Sequence, residues 1–307
     1  MKKILALLLI LLIIAFQGCA AKEESTVVTN ETANEEVATV APTQAPAATP
    51  TVAPTEAPAP TVEPSPTPVP EGLVLPITKN ETGKVLIQTV SQAQDNLYTA
   101  NIISSPNGEN AVIDPYKMPR KKVLNINPVA IANTHLHPDH IDNMFNNDYK
   151  QAQLMSIKVG EIQTEDFHIY NIRASHTEDP IVDTVSTNYF VVFEVGGLRI
   201  AHLGDCGQVE LTKEQLEQLG EIDIAFTQFE NPTYSNMSLE NEKGFKLIEQ
   251  LNPRIFIPTH YSEYLIPMVE EKYGEITRVE NMLAISKEDL PEGTMNPYII
   301  SNDHKYK

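Results

Sequence analysis

The chain runs to 307 residues, 41% of them hydrophobic, with 41 acidic side chains against 22 lysines and arginines and a formal net charge of −19. So acidic a chain excludes a protein that grips nucleic acid by its phosphates, because that affinity comes from a basic surface. Its two cysteines, Cys19 and Cys206, are too few for an extracytoplasmic disulfide framework.

Lys2-Lys3 precede an almost unbroken Ile, Leu and Ala run ending at Phe16, the charged and apolar regions of an export signal. The run is too short to serve comfortably as a stop-transfer helix. Phe16-Gln17-Gly18-Cys19-Ala20 resembles a bacterial lipobox, which implies a signal peptide over residues 1–18 and lipidation of Cys19. A lipoprotein held at the cell membrane and facing outside the cytoplasm is expected, and a plain secreted protein is the alternative. Residues 19–82 form a disordered linker rich in Pro, Thr and Ala. Within it, Ala38–Pro70 holds ten of the 23 prolines and no glycine, the composition of a semi-rigid spacer.

Residues 83–301 make one domain of about 220 residues, enough for a substantial core, followed by a polar tail over 302–307 that carries His304. Short β-rich runs dominate: Val85 to Thr89, Tyr98 to Ser104, Ala111 to Asp114, Ala130 to Asn133, Phe167 to Arg173, Tyr189 to Val195, Leu198 to Leu203, Ile222 to Thr227 and Ile255 to Pro258. Pro106-Asn107-Gly108 and Gly196-Gly197 read as hairpin turns. Thr212 to Leu219 and Leu239 to Leu251 show helical spacing. Hairpins opening each half, with strand and helix alternating later, suit two facing sheets covered by helices.

The sharpest signal is Thr134-His135-Leu136-His137-Pro138-Asp139-His140, directly after the run Val129 to Asn133. An extended segment sends alternate side chains to one face, so His135 and His137 share a direction. Pro138 then lets the chain turn into a helix and bring up Asp139 and His140. Imidazole and carboxylate are the ligands that Zn²⁺ takes in catalytic sites, and three of only eight histidines fall within six residues here.

This H-x-H-x-D-H pattern after a strand resembles the signature of the metallo-β-lactamase superfamily. The resemblance implies an α/β fold, a four-layer αββα sandwich of two mixed β-sheets flanked by helices. Three further matches follow in order: His176 after the strand-like run Phe167 to Arg173, Asp205 in Leu203-Gly204-Asp205, and His260 in Pro258-Thr259-His260-Tyr261. By this resemblance one metal is held by His135, His137 and His176, the other by Asp139, His140 and His260, and Asp205 bridges them. The context of His260 resembles the ascorbate-phosphate lactonase-like branch more than the antibiotic-degrading one. Asp142 and Cys206 stand where relatives often have Gly and Thr or Ser, which weakens any analogy of substrate.

The implied enzyme is a binuclear metal-dependent hydrolase that directs a water-derived hydroxide between its ions at a small-molecule ester or lactone, with Asp139 as catalytic residue. Its cofactors are two divalent ions, zinc by default, with Mn or Fe as alternatives. A phosphodiesterase of small phosphate esters is the runner-up, and a non-catalytic metal-binding surface lipoprotein is the reading from another class. Partners are thus a small-molecule substrate and the membrane, with no nucleic acid. His202, Cys206 and Tyr261 are candidates for supporting the ligands or touching substrate; His168 reads as structural. Residues near Asn143 to Tyr149, Ser186 to Asn188 and Asn231 to Met237 are placed to line a substrate groove.

Overall fold

The structure, a computed structural model, describes residues 79–91, 99–124, 126–178, 181 and 187–302. The export signal, Cys19, the spacer, Tyr98, Ser186 and His304 lie outside the described residues. Among those described, no helix is long and apolar enough to cross a membrane.

Nearly every strand of this fold is apolar at successive positions, and a strand sends those positions to opposite faces. Each sheet must therefore be covered on both sides. The first half supplies β1 (Val85–Thr89), β2 (Asn101–Ser104), β3 (Asn110–Ile113), α1 (Lys121–Leu124), β4 (Ala130–Ala132), α2 (Asn143–Asp148) and β5 (Gln153–Met155). After them come β6 (Glu161–Gln163), β7 (Phe167–Ser175), β8 (Thr187–Val195), β9 (Leu198–His202), α3 (Lys213–Leu219), β10 (Ile224–Gln228), α4 (Lys243–Leu251) and β11 (Ile255–Thr259). The chain closes with α5 (Leu265–Tyr273), β12 (Thr277–Val279), β13 (Leu283–Ile285) and β14 (Asn296–Ile300).

Among the described residues these strands form two mixed sheets, ordered β13-β1-β2-β3-β4-β5 and β12-β14-β11-β10-β9-β8-β7-β6. In the first, β3, β4 and β5 run parallel; in the second, β9, β10 and β11 do. Alternation sorts the side chains into layers. Ile103, Ala111, Ile113, Phe193, Ile200, Phe226 and Ile257 meet between the sheets. Ile102, Val112 and Ile131 point the other way, toward Leu124 of α1, Phe145 of α2 and Tyr149 just after it. Phe190, Val192, Ala225 and Phe256 face Leu219, Phe245, Ile248 and Val269 of α3, α4 and α5. Helix, sheet, sheet, helix is the four-layer αββα arrangement, and each fully buried aromatic ring in it contributes about 1.5–3 kcal/mol.

Several expectations need correction. No helix follows Pro138 at once: His140 N–H donates to the His137 carbonyl in a turn, and α2 starts at Asn143, capped by the Asp142 carboxylate on the N–H groups of Met144 and Phe145. The unusual Asp142 is thus a helix cap. The helix expected from Leu239 starts at Lys243. Strands β5, β6, β12, β13 and β14 carried no clear signal, being short or, like β14, containing a proline. Helix α5 holds Pro267 in its first turn, where no intrahelical donor is lost. Contacts of the folded domain reach back past Gly83, since the buried Asn80 amide donates to the carbonyls of Lys84 and Ser105.

Candidate metal centre

The seven residues converge because parallel strands deliver their carboxyl ends to one edge. Asp114 follows β3, His135 to His140 follow β4, His176 follows β7, Asp205 follows β9 and His260 follows β11. Strand β4 ends at Ala132, so His135 and His137 project from a turn beyond it, yet their rings lie 4.7 Å apart.

The side chains fall into two groups whose ligand atoms lie within 4.8 Å of one another: His135, His137, His176 and Asp205 in one, Asp139, His140 and His260 in the other. The Asp205 carboxylate stands between them. Its Oδ2 is 3.7 Å from His135 Nε2 and 3.4 Å from His176 Nε2. Its Oδ1 is 3.2 Å from His140 Nε2 and 3.7 Å from His260 Nε2. Asp139 Oδ2 lies 3.6 Å from His260 Nε2.

These donors fit a divalent cation on a test internal to the protein. The Nε2 atoms of His135, His140, His176 and His260 and Asp205 Oδ1 are buried without a hydrogen-bond partner, an arrangement that costs about 1–3 kcal/mol per neutral group unless something else binds there. For His140 and His176 the opposite ring nitrogens explain why Nε2 is left free. His140 Nδ1 is 2.7 Å from the buried Asp114 Oδ2, and His176 Nδ1 is 3.2 Å from the Tyr234 carbonyl. A proton held on each Nδ1 leaves the Nε2 lone pair facing the centre.

Electrostatics follow from packing. Burial, reinforced by the His140 ring, holds His135 well below the usual imidazole value. Burial and His176 lower His137. Burial opposes charge on His140 too, but the Asp205 and Asp114 carboxylates overcome it and raise its value well above the usual one. Burial likewise works against ionisation of Asp205, and His260 and His140 reverse that, holding the carboxyl far down. Burial works against ionisation of Asp139 too, and the neighbouring His260 and His140 rings outweigh it and lower its value. His140 would hold a divalent cation as the neutral imidazole and Asp205 as the carboxylate, so binding would be coupled to protonation of these groups.

Two backbone constraints shape the site. Asp114 and His260 take left-handed backbone angles, with φ of 47° and 43°, conformations that are retained where surrounding structure over-determines them. Gly207 packs so closely that a Cβ there would lie 2.2 Å from the His176 carbonyl oxygen.

Of the supporting candidates, His202 is buried beside Phe226, its ring nitrogen Nδ1 accepting from Gly204 N–H; burial pushes it down to about 4. Cys206 is buried, and its thiol is pushed up to about 12 by that burial; it belongs to neither ligand group. Tyr261 is partly buried against the helix-covered face of the second sheet. His168 pairs with Glu194 and Glu161 away from the centre. The expected groove needs revision: Phe145 of α2 and Tyr149 at its end are buried core residues, and Asn188 is buried, accepting from Asp205 N–H. The 231–237 loop does reach the site. Its Asn231 amide donates to Asp205 Oδ2 at 2.7 Å.

Sequence reasoning missed Asp114, and it placed Asn231 to Met237 only at a substrate groove, without the Asn231 bond to Asp205 or the Tyr234 carbonyl beside His176. Asp114 alone left a signal, as a carboxylate ending an apolar strand run in register with the one before His135. Asn231 and Tyr234 sit in a polar loop whose path no periodicity reveals.

Residues 98–260, more than half of the chain, match the family described as Beta-lactamase superfamily domain. In solved structures, a protein from Thermotoga maritima assigned to the Zn-dependent hydrolases of the metallo-β-lactamase superfamily aligns with a TM-score of 0.51 at 20% identity, covering 70% of this chain and 98% of its own. A metallo hydrolase from Ignicoccus hospitalis aligns with a TM-score of 0.49 at 14% identity, covering 73% and 97%. At such identities the likeness is one of fold. The family match spans every one of the seven clustered residues, and the chain belongs to the metallo-β-lactamase superfamily.

Proposed function

We propose that this protein is a binuclear metal-dependent hydrolase of small-molecule carboxylic esters or lactones. The observation that carries the reading is the division of Asp205: one oxygen faces His135 and His176, the other His140 and His260. His135, His137 and His176 would hold one cation, Asp139, His140 and His260 the other, with Asp205 between them. When bound, such ions polarise the scissile carbonyl and lower the pKa of water toward neutrality; zinc suits the donors, and Mn or Fe can replace it.

The chain's own groups do the rest. Asp114 and the Tyr234 carbonyl fix the orientation of His140 and His176. The Asn231 amide holds Asp205 in place. Asp139 is the ligand-group carboxylate that reaches solvent, with about a third of its side chain exposed, so its carboxylate orients the attacking water and takes up its proton. Water adds to the carbonyl carbon, the carbon–oxygen ester bond breaks, and the leaving oxygen takes a proton to give acid plus alcohol.

The strong negative charge of the chain favours neutral substrates over phosphate esters. Anchoring at the outer membrane face through lipidated Cys19 belongs to the same proposal. The test is elemental analysis of purified protein beside a panel of aryl and alkyl esters, lactones and phosphodiesters, with His135→Ala and Asp205→Ala as comparisons. About two metals per chain, fewer in both variants, with ester or lactone turnover is expected. No metal after reconstitution with Zn²⁺ and Mn²⁺ would sink the mechanism, and turnover confined to phosphodiesters would select the runner-up. Palmitate labelling lost in Cys19→Ser checks the anchor.

A further inference from the structure

The 231–237 loop is fastened from several sides. Asn231 N–H and the Met237 carbonyl bond at 2.8 Å, Ser235 N–H bonds back to the Asn231 carbonyl at 3.0 Å, and Ser235 Oγ donates to the Asp205 carbonyl at 3.2 Å. The Lys243 ammonium donates to the Ser235 carbonyl at 2.7 Å. This loop presents Tyr234, whose side chain is 62% exposed although its ring centroid lies only 5.2 Å from that of His137 and 6.5 Å from that of His176. A large ring held exposed on a fastened backbone loses little freedom when something packs on it.

The surroundings say what would pack there. Leu136 stands between His135 and His137, Met144 four residues after His140, and Tyr264 four after His260; with Tyr234 they are four of the nine exposed large apolar side chains among the described residues. An exposed apolar ring packed directly beside histidines of the centre, as Tyr234 is, marks a binding surface. The cation that reaches the loop, Lys243, is buried and engaged by Glu178 and by the Gly207 and Ser235 carbonyls, so it does not face an incoming anion. Glu178 beside the loop and Asp139 of the centre are carboxylates that reach solvent, and the Arg120 guanidinium at Met144 is engaged by Asp148.

We propose that Tyr234 is the binding wall for a flat, uncharged part of the substrate, an aryl or similarly planar group stacked on the exposed ring while the scissile bond lies over the histidines. This inference rests on the ester-hydrolase reading of the same centre. The hydrogen bond to His176 is made by the Tyr234 backbone carbonyl, so it survives a change of side chain, and metal content reports any effect through the ring's contact with His137.

The test uses full-length Zn²⁺-loaded protein, Tyr234→Ala and Tyr234→Phe, with metal content measured in each. Two readouts are taken: kcat/KM on 2-naphthyl acetate against methyl acetate, and equilibrium dialysis of methyl 2-naphthyl ketone, which keeps the flat group and lacks the scissile bond. In Tyr234→Ala, the ratio of naphthyl to methyl ester kcat/KM and the ketone affinity are each expected to fall roughly five- to tenfold; Tyr234→Phe restores both, because the face of the ring and not its hydroxyl is used. Equal losses on the two esters, unchanged ketone affinity in Tyr234→Ala, or failure of Tyr234→Phe to restore would overturn the proposal. Ketone binding that depends on Tyr234 without turnover of either ester would instead sink the ester reading and leave the binding wall standing.

Discussion

Asp114 shows how much of the centre depends on a residue that need not touch a metal. Its side chain is fully buried, Oδ2 accepts from Thr134 Oγ1 and lies 2.7 Å from His140 Nδ1, and Oδ1 accepts from Thr134 N–H. One carboxylate thus fixes the start of the histidine turn and the orientation of its last histidine. Removing such a partner typically costs 10- to 100-fold in metal affinity. Asp114→Asn keeps a residue that tolerates the left-handed backbone at this position and removes the charge. A roughly 10- to 100-fold weaker metal affinity in competition with a chelating dye, with an intact circular dichroism spectrum, is expected; unchanged affinity would show that His140 needs no such support. Cys206 illustrates the reverse case. It adjoins Asp205 in the chain, yet burial keeps its thiol protonated, and it acts as a small apolar side chain packed under the second sheet.

At the scale of elements, the site is an arrangement of strand ends held by close backbone contacts. The turn after β9 must pass the loop after β7, and Gly207 N–H donates to the Ser175 carbonyl at 3.0 Å. A methyl group at Gly207 would meet His176 backbone atoms, which no side-chain rotation can relieve. Gly207→Ala is expected to cost about 1–3 kcal/mol in urea unfolding and to lower metal occupancy of the group containing His176. Gly160→Ala is the control, since its Cβ meets nothing nearer than the Lys158 carbonyl at 4.0 Å. Equal stability of the two variants would refute the close-contact argument. The elements that sequence missed fail for physical reasons. A three-residue strand such as β5 or β6 has too few alternations to show a period, and β13 is defined by pairing with β1, some 200 residues away in the chain.

For the molecule as a whole, the buried and unpartnered nitrogens of the centre link metal binding to folding. A ligand present at about 100 times its Kd adds about 2.7 kcal/mol to stability, and a domain of this size gains about 2–4 °C per kcal/mol. Chelator treatment is therefore expected to lower the thermal midpoint by roughly 5–10 °C and Zn²⁺ to restore it, as read by scanning calorimetry. A midpoint indifferent to chelator would mean that the folded domain holds no metal in this cluster. By itself the sequence determined the nine principal strands and the His135 to His140 motif, because short apolar runs and dense ligand spacing are local properties written in consecutive residues. The matches at His176, Asp205 and His260 were legible only through the resemblance to the superfamily, supported by their order along the chain, each at a strand's end. Only the tertiary structure decided that Asp205 turns one oxygen to each histidine group, that Asp114 lies behind His140, and that Tyr234 stands beside His137. Those relations join residues 26 to 97 positions apart, and their geometry depends on how two sheets pack, which no local pattern encodes.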